Sequence, residues 1–556
     1  MKIFYLCQKY LIQYRYQLII YIAITLISTA ITILSPYILG DFLDTLITGA
    51  DITSVLRFCA VFGGLNILRI LMGYATSIIY VKVQTKMGYD LNMSVIKHVQ
   101  SLSLSYFNKQ DSAYLNQRIN NDANNLIIFC ITILQSIITN VIMFIVPFVV
   151  LLAMNWFVAV LMIAFLALYM TLYIVFKKPL YKASFAFKEA QSKFFSCLYD
   201  QLKYIKLIKI NSIQQETNKK AYEGFAGLIK ATVNNQKINY LFSGLDGFIT
   251  TLAQIALFVI GGIQILDGNF TIGMFTIFSS YFNMMIGSSR YFFNLGASYH
   301  KVLVSYDRIV EIFGYKAETN GEQTLVDIQK IELNNIAFSY DVNPSKPKPL
   351  NNLTSTFKKG KIYAITGENG TGKSTLINLI MGMYINEFSG NISYNGINIK
   401  DIDMQRARKT LFGFAEQEPM LINDTIWYNL TFEDSNKFES IKESPANPKY
   451  KALRSHLQTL NMMDFVSEYT LNLKINDKNT NTSGGEKQKI SILKVLLKDP
   501  VVMIFDEPTS ALDWETSAKF MRHLQQIKES KIIIIITHDN AVEQFCDETI
   551  SLNGMT

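Results

Sequence analysis

The sequence is short of cysteine and of charge. Its 556 residues include five cysteines, at positions 7, 59, 130, 197 and 546, without a CxxC pair and with an odd total. That pattern argues against a disulfide framework and against a zinc site, so we expect small buried hydrophobic side chains there. Only 17% of the residues are charged and 50% are hydrophobic. A soluble protein carries about 25% charged residues, so a chain that is soluble throughout is excluded.

The charge that is present is unevenly distributed. Residues 1–320 have a clear excess of lysine and arginine, whereas residues 321–556 have a slight acidic excess, and the chain has a net charge of +8. The basic residues lie in loops between apolar runs rather than in one patch. We therefore expect a membrane part followed by a soluble-like part, and no nucleic-acid partner.

Six apolar runs are long enough to cross a bilayer, which takes about 20 residues. They lie at roughly 17–40, 56–80, 126–153, 155–177, 244–266 and 270–296. Loops 41–55, 153–156 and 267–271 contain no lysine or arginine, whereas 81–125 and 177–243 are basic. Basic loops stay in the cytoplasm, so the N-terminus, both long loops and the C-terminal part are predicted to be cytoplasmic. The helical periodicity of the long loops predicts that helices continue beyond the spans.

Four polar side chains in these spans are candidates for a substrate path. Arg69 lies roughly 20 Å along the second span, near the bilayer centre, where a charge faces an interior cavity by default. It lines such a path or bonds to nearby carbonyl groups. Arg290, near the end of the sixth span, is expected to snorkel unless it lines the path. Asn140 and Asn283 suit a cavity and helix–helix hydrogen bonds equally well.

A glycine-rich segment of the second part carries a specific motif. Residues 367–375, GENGTGKST, match G-x-x-x-x-G-K-[ST] between a strand candidate and a helix candidate. In this context backbone N–H groups wrap the phosphates of a nucleotide, Lys373 reaches its β and γ phosphates, and Ser374 holds Mg²⁺. The predicted nucleotide-binding residues here are Gly367, Asn369, Gly370, Gly372, Lys373, Ser374 and Thr375.

Two later apolar strands end in further candidates. Residues 501–507 end at Asp506, which can bind Mg²⁺ through water, and at Glu507, which can activate the attacking water. Residues 531–536 precede His538, which is placed to contact the γ-phosphate, although a histidine at a strand end is more often structural. Together with the glycine-rich motif, these residues predict ATP hydrolysis.

Residues 482–488, TSGGEKQ, resemble the signature sequence of the ATP-binding cassette (ABC) proteins. In that family the signature of one protomer caps the ATP on the other protomer, and the resemblance implies this role for Ser483, Gly484 and Gly485. It also implies that Tyr340 stacks on adenine and that Gln417 senses the nucleotide beside Mg²⁺. Asp513 is implied to link the two ATP sites. The predicted catalytic set is Lys373, Gln417, Glu507 and His538.

The resemblance covers the whole chain, because six spans followed by one cassette look like an exporter-type half-transporter. It implies an α-helical membrane domain (1–313), a linker (314–330) and an α/β P-loop ATPase domain of ABC type (331–556). Segments 106–122 and 203–215 resemble the family's cytoplasmic coupling regions; the alternative is plain amphipathic loop helices. The signature departs from the family pattern at Thr482, usually Leu, and at Glu486, usually Gln.

The resemblance also implies a dimer, since the signature must come from a second chain. A homodimer is favoured because no catalytic group is missing, with a heterodimer as the alternative. We expect ATP-driven export of an amphipathic substrate, such as a bacteriocin-like small peptide, across the cytoplasmic (inner) membrane of a bacterium. The chain begins close to the first span, so we expect no N-terminal peptidase. The alternatives are a multidrug or lipid exporter or flippase, and an ATP-gated channel.

Overall fold

The computed structural model describes residues 2–49, 51–109, 115–116, 118–340, 350–433, 448–463, 471–475, 483–510 and 512–552. These residues form two compact units. One comprises residues 1–97 and 115–314, and the other comprises 98–114 and 315–556. The second unit thus includes a short segment from the part of the chain that precedes residue 314. Thr482, and residues 110–114 and 117 of the first predicted coupling region, lie outside the described residues.

Helices make up most of the described part of residues 1–314. In chain order they are α1 (Lys2–Gln13), α2 (Arg15–Ile47), α3 (Ile52–Gln100), α4 (Leu104–Lys109), α5 (Ala123–Met154, preceded by a π-helical turn, Arg118–Asp122), α6 (Trp156–Lys203), α7 (Ile205–Asn211), α8 (Gln214–Leu266) and α9 (Ile272–Gly314). The prediction that helices continue beyond the spans is confirmed, because α3, α6 and α8 each exceed 45 residues.

Among the described residues, five helical segments are long and apolar enough to cross a membrane. They are Arg15–Ile47, Ile52–Gln100, Arg118–Met154, Ile163–Lys203 and Gln214–Leu266. The sixth predicted span lies in α9, whose serines, glycines and asparagines lower its mean hydropathy. The sixth span therefore stays a prediction, although the helix that would form it is present.

Two glycines bring α2 and α9 together. A Cβ atom on Gly273 would lie 2.1 Å from the carbonyl oxygen of Gly40, so a side chain there would force the helices apart. Beside this crossing, Asp44 accepts hydrogen bonds from the Gly273 N–H (2.8 Å) and the Thr271 hydroxyl (2.6 Å). The carboxylate thereby satisfies donors at the start of α9, where negative charge is favoured.

All five cysteines lie in the described part of the chain and are free thiols. Cys7 and Cys130 are buried, as expected, and Cys197 and Cys546 are half-buried. The expectation is wrong for Cys59, which is exposed on α3. No residue in the most apolar window of that helix is fully buried within this chain, which explains the exposure.

The second unit contains two sheets and the helices around them. Its strands are β1 (Lys330–Phe338), β2 (Leu350–Lys358), β3 (Lys361–Thr366), β4 (Phe388–Tyr394), β5 (Ile397–Asn398), β6 (Phe412–Ala415), β7 (Val502–Asp506), β8 (Ile532–Ile536) and β9 (Glu548–Ser551). Its further helices are α10 (Lys373–Ile380), α11 (Met404–Thr410), α12 (Ile426–Thr431), α13 (Pro448–Thr459), α14 (Gly484–Lys498), α15 (Trp514–Ile527, followed by a 3₁₀ turn, Lys528–Ser530) and α16 (Asn540–Glu543).

One sheet is antiparallel with strand order β2-β1-β4-β5, and the other is parallel with order β6-β7-β8-β3-β9. Strands β6, β7, β8 and β3 of the parallel sheet are largely buried on both faces, as their apolar sequences indicate, whereas the edge strand β9 is largely exposed. On β7, Val502 and Ile504 join one hydrophobic cluster, whereas Met503 and Phe505 join another. This alternation places a core on each side of the sheet.

Segment 98–109 is tied into the second unit by hydrogen bonds. The Glu318 N–H donates to the Ser101 carbonyl (2.7 Å), and the Ser103 hydroxyl donates to Glu387 (3.0 Å). The Asn108 side-chain amide donates to the hydroxyl of Tyr384 at 2.9 Å. This segment includes the described start of the first predicted coupling region.

Candidate active site

The predicted catalytic residues follow the carboxyl ends of four adjacent parallel strands. The glycine-rich loop follows β3, Gln417 follows β6, Glu507 follows β7 and His538 follows β8. Because these ends share one edge of the sheet, the side chains meet there, at the usual ligand position of such sheets. A cavity of about 830 Å³ is lined by Tyr340, Gly367, Glu368, Asn369, Gly370, Gly372, Lys373, Ser374, Thr375, Gln417, Asp506, Glu507 and His538.

The glycine-rich loop owes its shape to left-handed backbone at Gly370 (φ 89°) and Gly372 (φ 94°), which glycine adopts without strain. Gly372 leads directly into α10, so the N–H groups of the first helical turn lie beside the cavity. The Lys373 ammonium donates to the carbonyl oxygens of Gly367 (2.6 Å) and Glu368 (2.9 Å). The loop therefore combines the N–H groups of a helix N-terminus with a cation, an arrangement suited to phosphate.

Two side chains hold the carboxylate of Glu507. Gln417 Nε2 donates to Glu507 Oε2 at 2.6 Å, and His538 Nδ1 lies 3.1 Å from Glu507 Oε1. The Glu507 side chain is 15% exposed and that of His538 is 72% exposed. The carboxylate is thus fixed in orientation while its histidine partner faces the open side of the cavity.

Asp506 is the second acid at this edge. Burial, followed by repulsion from the neighbouring Glu507, raises the pKa of Asp506 to about 6, although Lys373 and the Ser374 hydroxyl act in the opposite direction. Hydroxyl, amide and carboxylate oxygens are the donors that a hard cation such as Mg²⁺ prefers. The side chains of Ser374, Gln417 and Asp506 fit that ion.

Tyr340 lies at the rim of the cavity. Its hydroxyl is 2.8 Å from the hydroxyl of Thr375, and its ring meets the rings of Phe338 and Tyr384 edge-on. The residue is 42% exposed, so one part of the ring is accessible to a flat partner.

The signature residues lie elsewhere in the second unit. Ser483 caps α14: its hydroxyl accepts from the Glu486 N–H (3.3 Å), and Glu486 Oε2 accepts from the Ser483 N–H (2.6 Å). This reciprocal capping box accepts Glu as readily as Gln, which accommodates the departure at Glu486. Among the described residues that line the cavity, Ser483, Gly484 and Gly485 do not occur.

Asp513 is also absent from the described lining of the cavity. Its carboxylate caps α15, accepting hydrogen bonds from the backbone N–H (2.9 Å) and the hydroxyl (2.7 Å) of Thr516. Within one chain, therefore, the structure brings together the glycine-rich loop, Gln417, Asp506, Glu507 and His538, but not the signature or Asp513.

In the first unit, Arg290 forms an ion pair with Asp246 at 2.7 Å and hydrogen bonds to the Thr250 hydroxyl at 3.3 Å. The Arg290 side chain is 41% exposed, so its snorkelling stays a prediction, but Asp246 supplies a counter-charge on the neighbouring helix. Two turns along α8, Gln254 Nε2 lies 3.4 Å from Asn283 Oδ1. A polar ladder, defined here as these five residues, thus runs between α8 and α9.

The other two substrate-path candidates stand apart from the ladder. Arg69 is half-buried on α3 and has no hydrogen bond or ion pair with any residue that the structure describes. Asn140 donates to the Ser136 carbonyl (2.8 Å), a bond within α5. The structure therefore groups Asn283 with Arg290 but leaves Arg69 and Asn140 separate.

The sequence reasoning missed Asp246, Thr250 and Gln254. A signal was present, because their spacing of four residues puts them on one face of a helix. An acidic residue inside a predicted span also indicates a partner on a neighbouring helix.

Comparison with known proteins gives matches to both parts of the chain. The ABC transporter transmembrane region family matches residues 18–289, and the ABC transporter family matches residues 350–510. The chain is 26% identical over 539 residues to the lactococcin-G-processing and transport ATP-binding protein LagD of Lactococcus lactis subsp. lactis, covering 95% of this chain and 74% of that protein. It is 24% identical over 469 residues to the ATP-dependent lipid A-core flippase of Syntrophus aciditrophicus (strain SB), covering 83% and 75%.

A solved structure shows the same fold. The structure of a bacterial Atm1-family ABC exporter with ATP bound superposes with a TM-score of 0.80, covering 97% of this chain and 94% of that chain at 18% identity. A helical membrane domain and a cassette with a nucleotide-type cavity therefore occur together in one polypeptide. The chain belongs to the ABC transporter superfamily and is an exporter-type half-transporter, an ATPase coupled to transport across a membrane.

Proposed function

We propose that the protein uses ATP to export an amphipathic substrate, most simply a small peptide, across the cytoplasmic membrane of a bacterium. The observation that carries this proposal is the carboxylate of Glu507, held by Gln417 and His538 at the edge of a cavity that also contains Lys373. Such a group can activate water against a bound phosphate. The same chain contains helices long and apolar enough to cross a membrane, so ATP hydrolysis can be coupled to transport across it.

In the proposed reaction, ATP enters the cavity with its phosphates on the glycine-rich loop. Lys373 exchanges its carbonyl partners, Gly367 and Glu368, for the β and γ phosphates. Glu507 accepts the proton of the attacking water, and His538 orients the γ-phosphate. Ser374, Gln417 and Asp506 would hold Mg²⁺, which would supply positive charge to offset the developing negative charge. Tyr340 stacks on the adenine ring.

The described lining of the cavity contains no signature residue of the same chain, which supports a dimer. The N-terminus of α14, with Ser483, Gly484 and Gly485, offers N–H groups and a favourable helix dipole to an anion. These residues are absent from the described lining of the chain's own cavity. We propose a homodimer in which each α14 covers the ATP of the other copy, with Asp513 beside it. A heterodimer remains the alternative.

Helix α7 supports a contact between copies. It lies at the turn between two long helices, and its apolar side chains Ile205, Leu207 and Ile210 are between 48% and 70% exposed. Apolar groups clustered at such a tip would be costly in water. We propose that this segment, the second predicted coupling region, docks on the cassette of the second copy.

The polar ladder supports a substrate path through the membrane part. Polar groups in a span are expected to face the bundle interior or a watery cavity. Asn283 bonds to Gln254 and Arg290 bonds to Thr250, so both contact polar residues of α8. Arg69 is a separate candidate on another helix, as is Asn140. A relative named for lactococcin G transport favours a peptide substrate, whereas a relative named as a lipid flippase favours the alternative.

The test uses the full chain in lipid nanodiscs and in inverted vesicles. Wild type should hydrolyse ATP at least 100-fold faster than Glu507→Gln, because the variant lacks the base. A panel of peptides, drugs and lipids should include one class that stimulates hydrolysis and accumulates against its gradient. Equal hydrolysis by the two proteins would overturn the catalytic assignment. Movement of solute only down its gradient would favour the ATP-gated channel.

A further inference from the structure

A buried glutamine forms a hydrogen bond with the backbone of Glu507. Gln488, in the second turn of α14, is 2% exposed. Its side-chain Nε2 donates to the Glu507 carbonyl oxygen at 2.7 Å and to the Ser510 hydroxyl at 3.1 Å. A buried amide makes such bonds at a net gain only if its partners are correctly placed. Gln488 therefore joins the first part of α14 to the segment that follows β7.

The backbone of Glu507 needs external support. Its φ of +46° lies in the left-handed region, which residues with a side chain rarely adopt and which costs free energy. The Glu507 N–H donates to the Ile536 carbonyl at 3.0 Å, and its carbonyl accepts from the Ser510 N–H at 3.2 Å. The bond from Gln488 is the shortest of these three. Together they fix the peptide from which the Glu507 carboxylate projects into the cavity.

We propose that Gln488 is a positioning residue for ATP hydrolysis: it holds Glu507 in the left-handed conformation that directs its carboxylate at the attacking water. The inference rests on the proposed function, because it takes Glu507 as the base. Gln488 belongs to the same rigid helix as Ser483, whose end is proposed to cover the ATP of the second copy. A shift of α14 on closure of the dimer is therefore transmitted to the carbonyl of Glu507.

The chemistry of the site explains why glutamine is needed. The contact with the Glu507 carbonyl requires an N–H donor at the end of a side chain of this length, whereas the Ser510 hydroxyl can also donate to Gln488 Oε1 at 3.4 Å. Methionine has a similar length but cannot donate, and glutamate would place a carboxylate against the Glu507 carbonyl. Either substitution leaves a buried carbonyl short of a partner and allows the Glu507 peptide to rotate. The glycine-rich loop and Lys373 are not touched, so nucleotide binding should persist.

The experiment compares Gln488→Met and Gln488→Glu with wild type and with Gln525→Met, all as full chains in nanodiscs. Gln525 is an exposed glutamine of the same cassette whose amide donates to the Phe545 carbonyl, so it controls for loss of an amide. Both Gln488 variants should lose about tenfold or more in kcat. Their KM for ATP and their Kd for a fluorescent ATP analogue should stay within about threefold of wild type. Gln525→Met should behave as wild type.

A second variant separates the two contacts of Gln488. Ser510→Ala removes only the hydroxyl contact and should reduce kcat by less than about threefold. Adding it to Gln488→Met should cause little further loss.

Three outcomes would overturn the inference. One is a Gln488→Met kcat within twofold of the control, and another is an equal loss from Ser510→Ala. The third is a parallel loss of hydrolysis, nucleotide binding and thermal stability, which would mark a residue needed only for folding. Each of these leaves the proposed function intact as long as Glu507→Gln is inactive. Equal activity of Glu507→Gln and wild type would overturn both.

Discussion

The cassette and the helical unit differ in how their charged side chains are arranged. At the edge of the parallel sheet, Asp506 and Glu507 are like charges on adjacent residues, and Lys373 bonds to carbonyl groups rather than to either acid. In the helical unit, Asp246 and Arg290 are opposite charges 2.7 Å apart. The first arrangement is unbalanced until a ligand arrives, whereas the second is already neutral. The comparison suggests that crowded like charges prepare a site for chemistry, while a paired charge can remain in a membrane span at lower cost.

The comparison predicts opposite effects on stability when one acid is neutralised in each region. In the helical unit, Asp246→Asn leaves Arg290 without a counter-charge and should destabilise the protein by about 1–3 kcal/mol, since the pair is only partly exposed. Thermal unfolding in detergent measures the effect.

The matched control for Asp246→Asn is the double variant Asp246→Asn/Arg290→Gln. It should regain most of the lost stability, because neither charge is then left alone. If the double variant is as unstable as the single one, packing rather than charge balance explains the loss. A normal stability combined with altered substrate stimulation would instead place the pair on the substrate path alone.

In the cassette, Asp506→Asn should raise the stability of the nucleotide-free protein by about 1–2 kcal/mol at pH 7.5, while abolishing hydrolysis. The sign follows from the raised pKa of Asp506, since burial and Glu507 make its ionised form unfavourable in the folded state. The folded protein loses stability as the pH rises from about 4 to 6. The gain from the variant should therefore shrink at pH 5. Thermal unfolding in the presence of a chelator tests both statements.

Asp547→Asn is the control with the opposite sign. Although burial acts to raise it, the hydrogen bond from Lys528 and the bond from the Ile362 N–H hold the pKa of Asp547 below its usual value. Its ionised form stabilises the fold, so its replacement should lower stability at pH 7.5. Destabilisation by both variants would show that crowding of like charge is not what sets the cost at Asp506.

The same contrast explains which parts of the molecule could be predicted from sequence. The glycine-rich loop is contiguous, and Glu507 and His538 each follow a recognisable apolar strand, whereas Gln417 was indicated only by the resemblance to ABC proteins. The parallel sheet brings all of them to one edge. The bonds of Gln488 to Glu507 and of Asp246 to Arg290 depend on how particular helices rotate and pack. The spacing of Asp246, Thr250 and Gln254 places them on one helix face, but no local pattern specifies which neighbouring side chain that face meets.

A smaller effect is expected from the charge at the start of α14. Glu486 closes the capping box but also places a negative charge where the proposed homodimer brings a phosphate. Glu486→Gln keeps the capping bonds and removes the repulsion, so the KM for ATP should fall about two- to threefold with kcat nearly unchanged. Glu515→Gln, which removes an equal charge from the start of α15, should leave KM unchanged. An identical shift in both variants would reflect overall charge rather than a contact with ATP.

The smallest predicted effect concerns two histidines that form no ion pair with any residue that the structure describes and that are absent from the described lining of the cavity. One of them, His456, has Asp499 nearby, which acts to raise its pKa. The ring centroids of His456 on α13 and His523 on α15 lie 5.4 Å apart. Neither ring nitrogen of His523 has a hydrogen-bond partner among the residues that the structure describes. Burial lowers the pKa of His523; burial, and then the neighbouring His523, lowers that of His456. The folded state therefore binds fewer protons than the unfolded state. Stability is complete above about pH 6.5 and falls as the pH drops below it.

His523→Leu should weaken this acid sensitivity by less than about 1 kcal/mol, since it removes one of the two titrating rings. Hydrogen exchange of α13 and α15 at pH 7.5 and 5.5, corrected for intrinsic rates, measures the change in the full chain. Amides of the antiparallel β1–β2 pair, remote in sequence from both histidines, serve as the internal reference. Wild type should lose protection in α13 and α15 at pH 5.5, and the variant should lose less. Equal losses would show that another group causes the acid sensitivity. The buried histidine pair would then have no effect on the stability of the cassette at low pH.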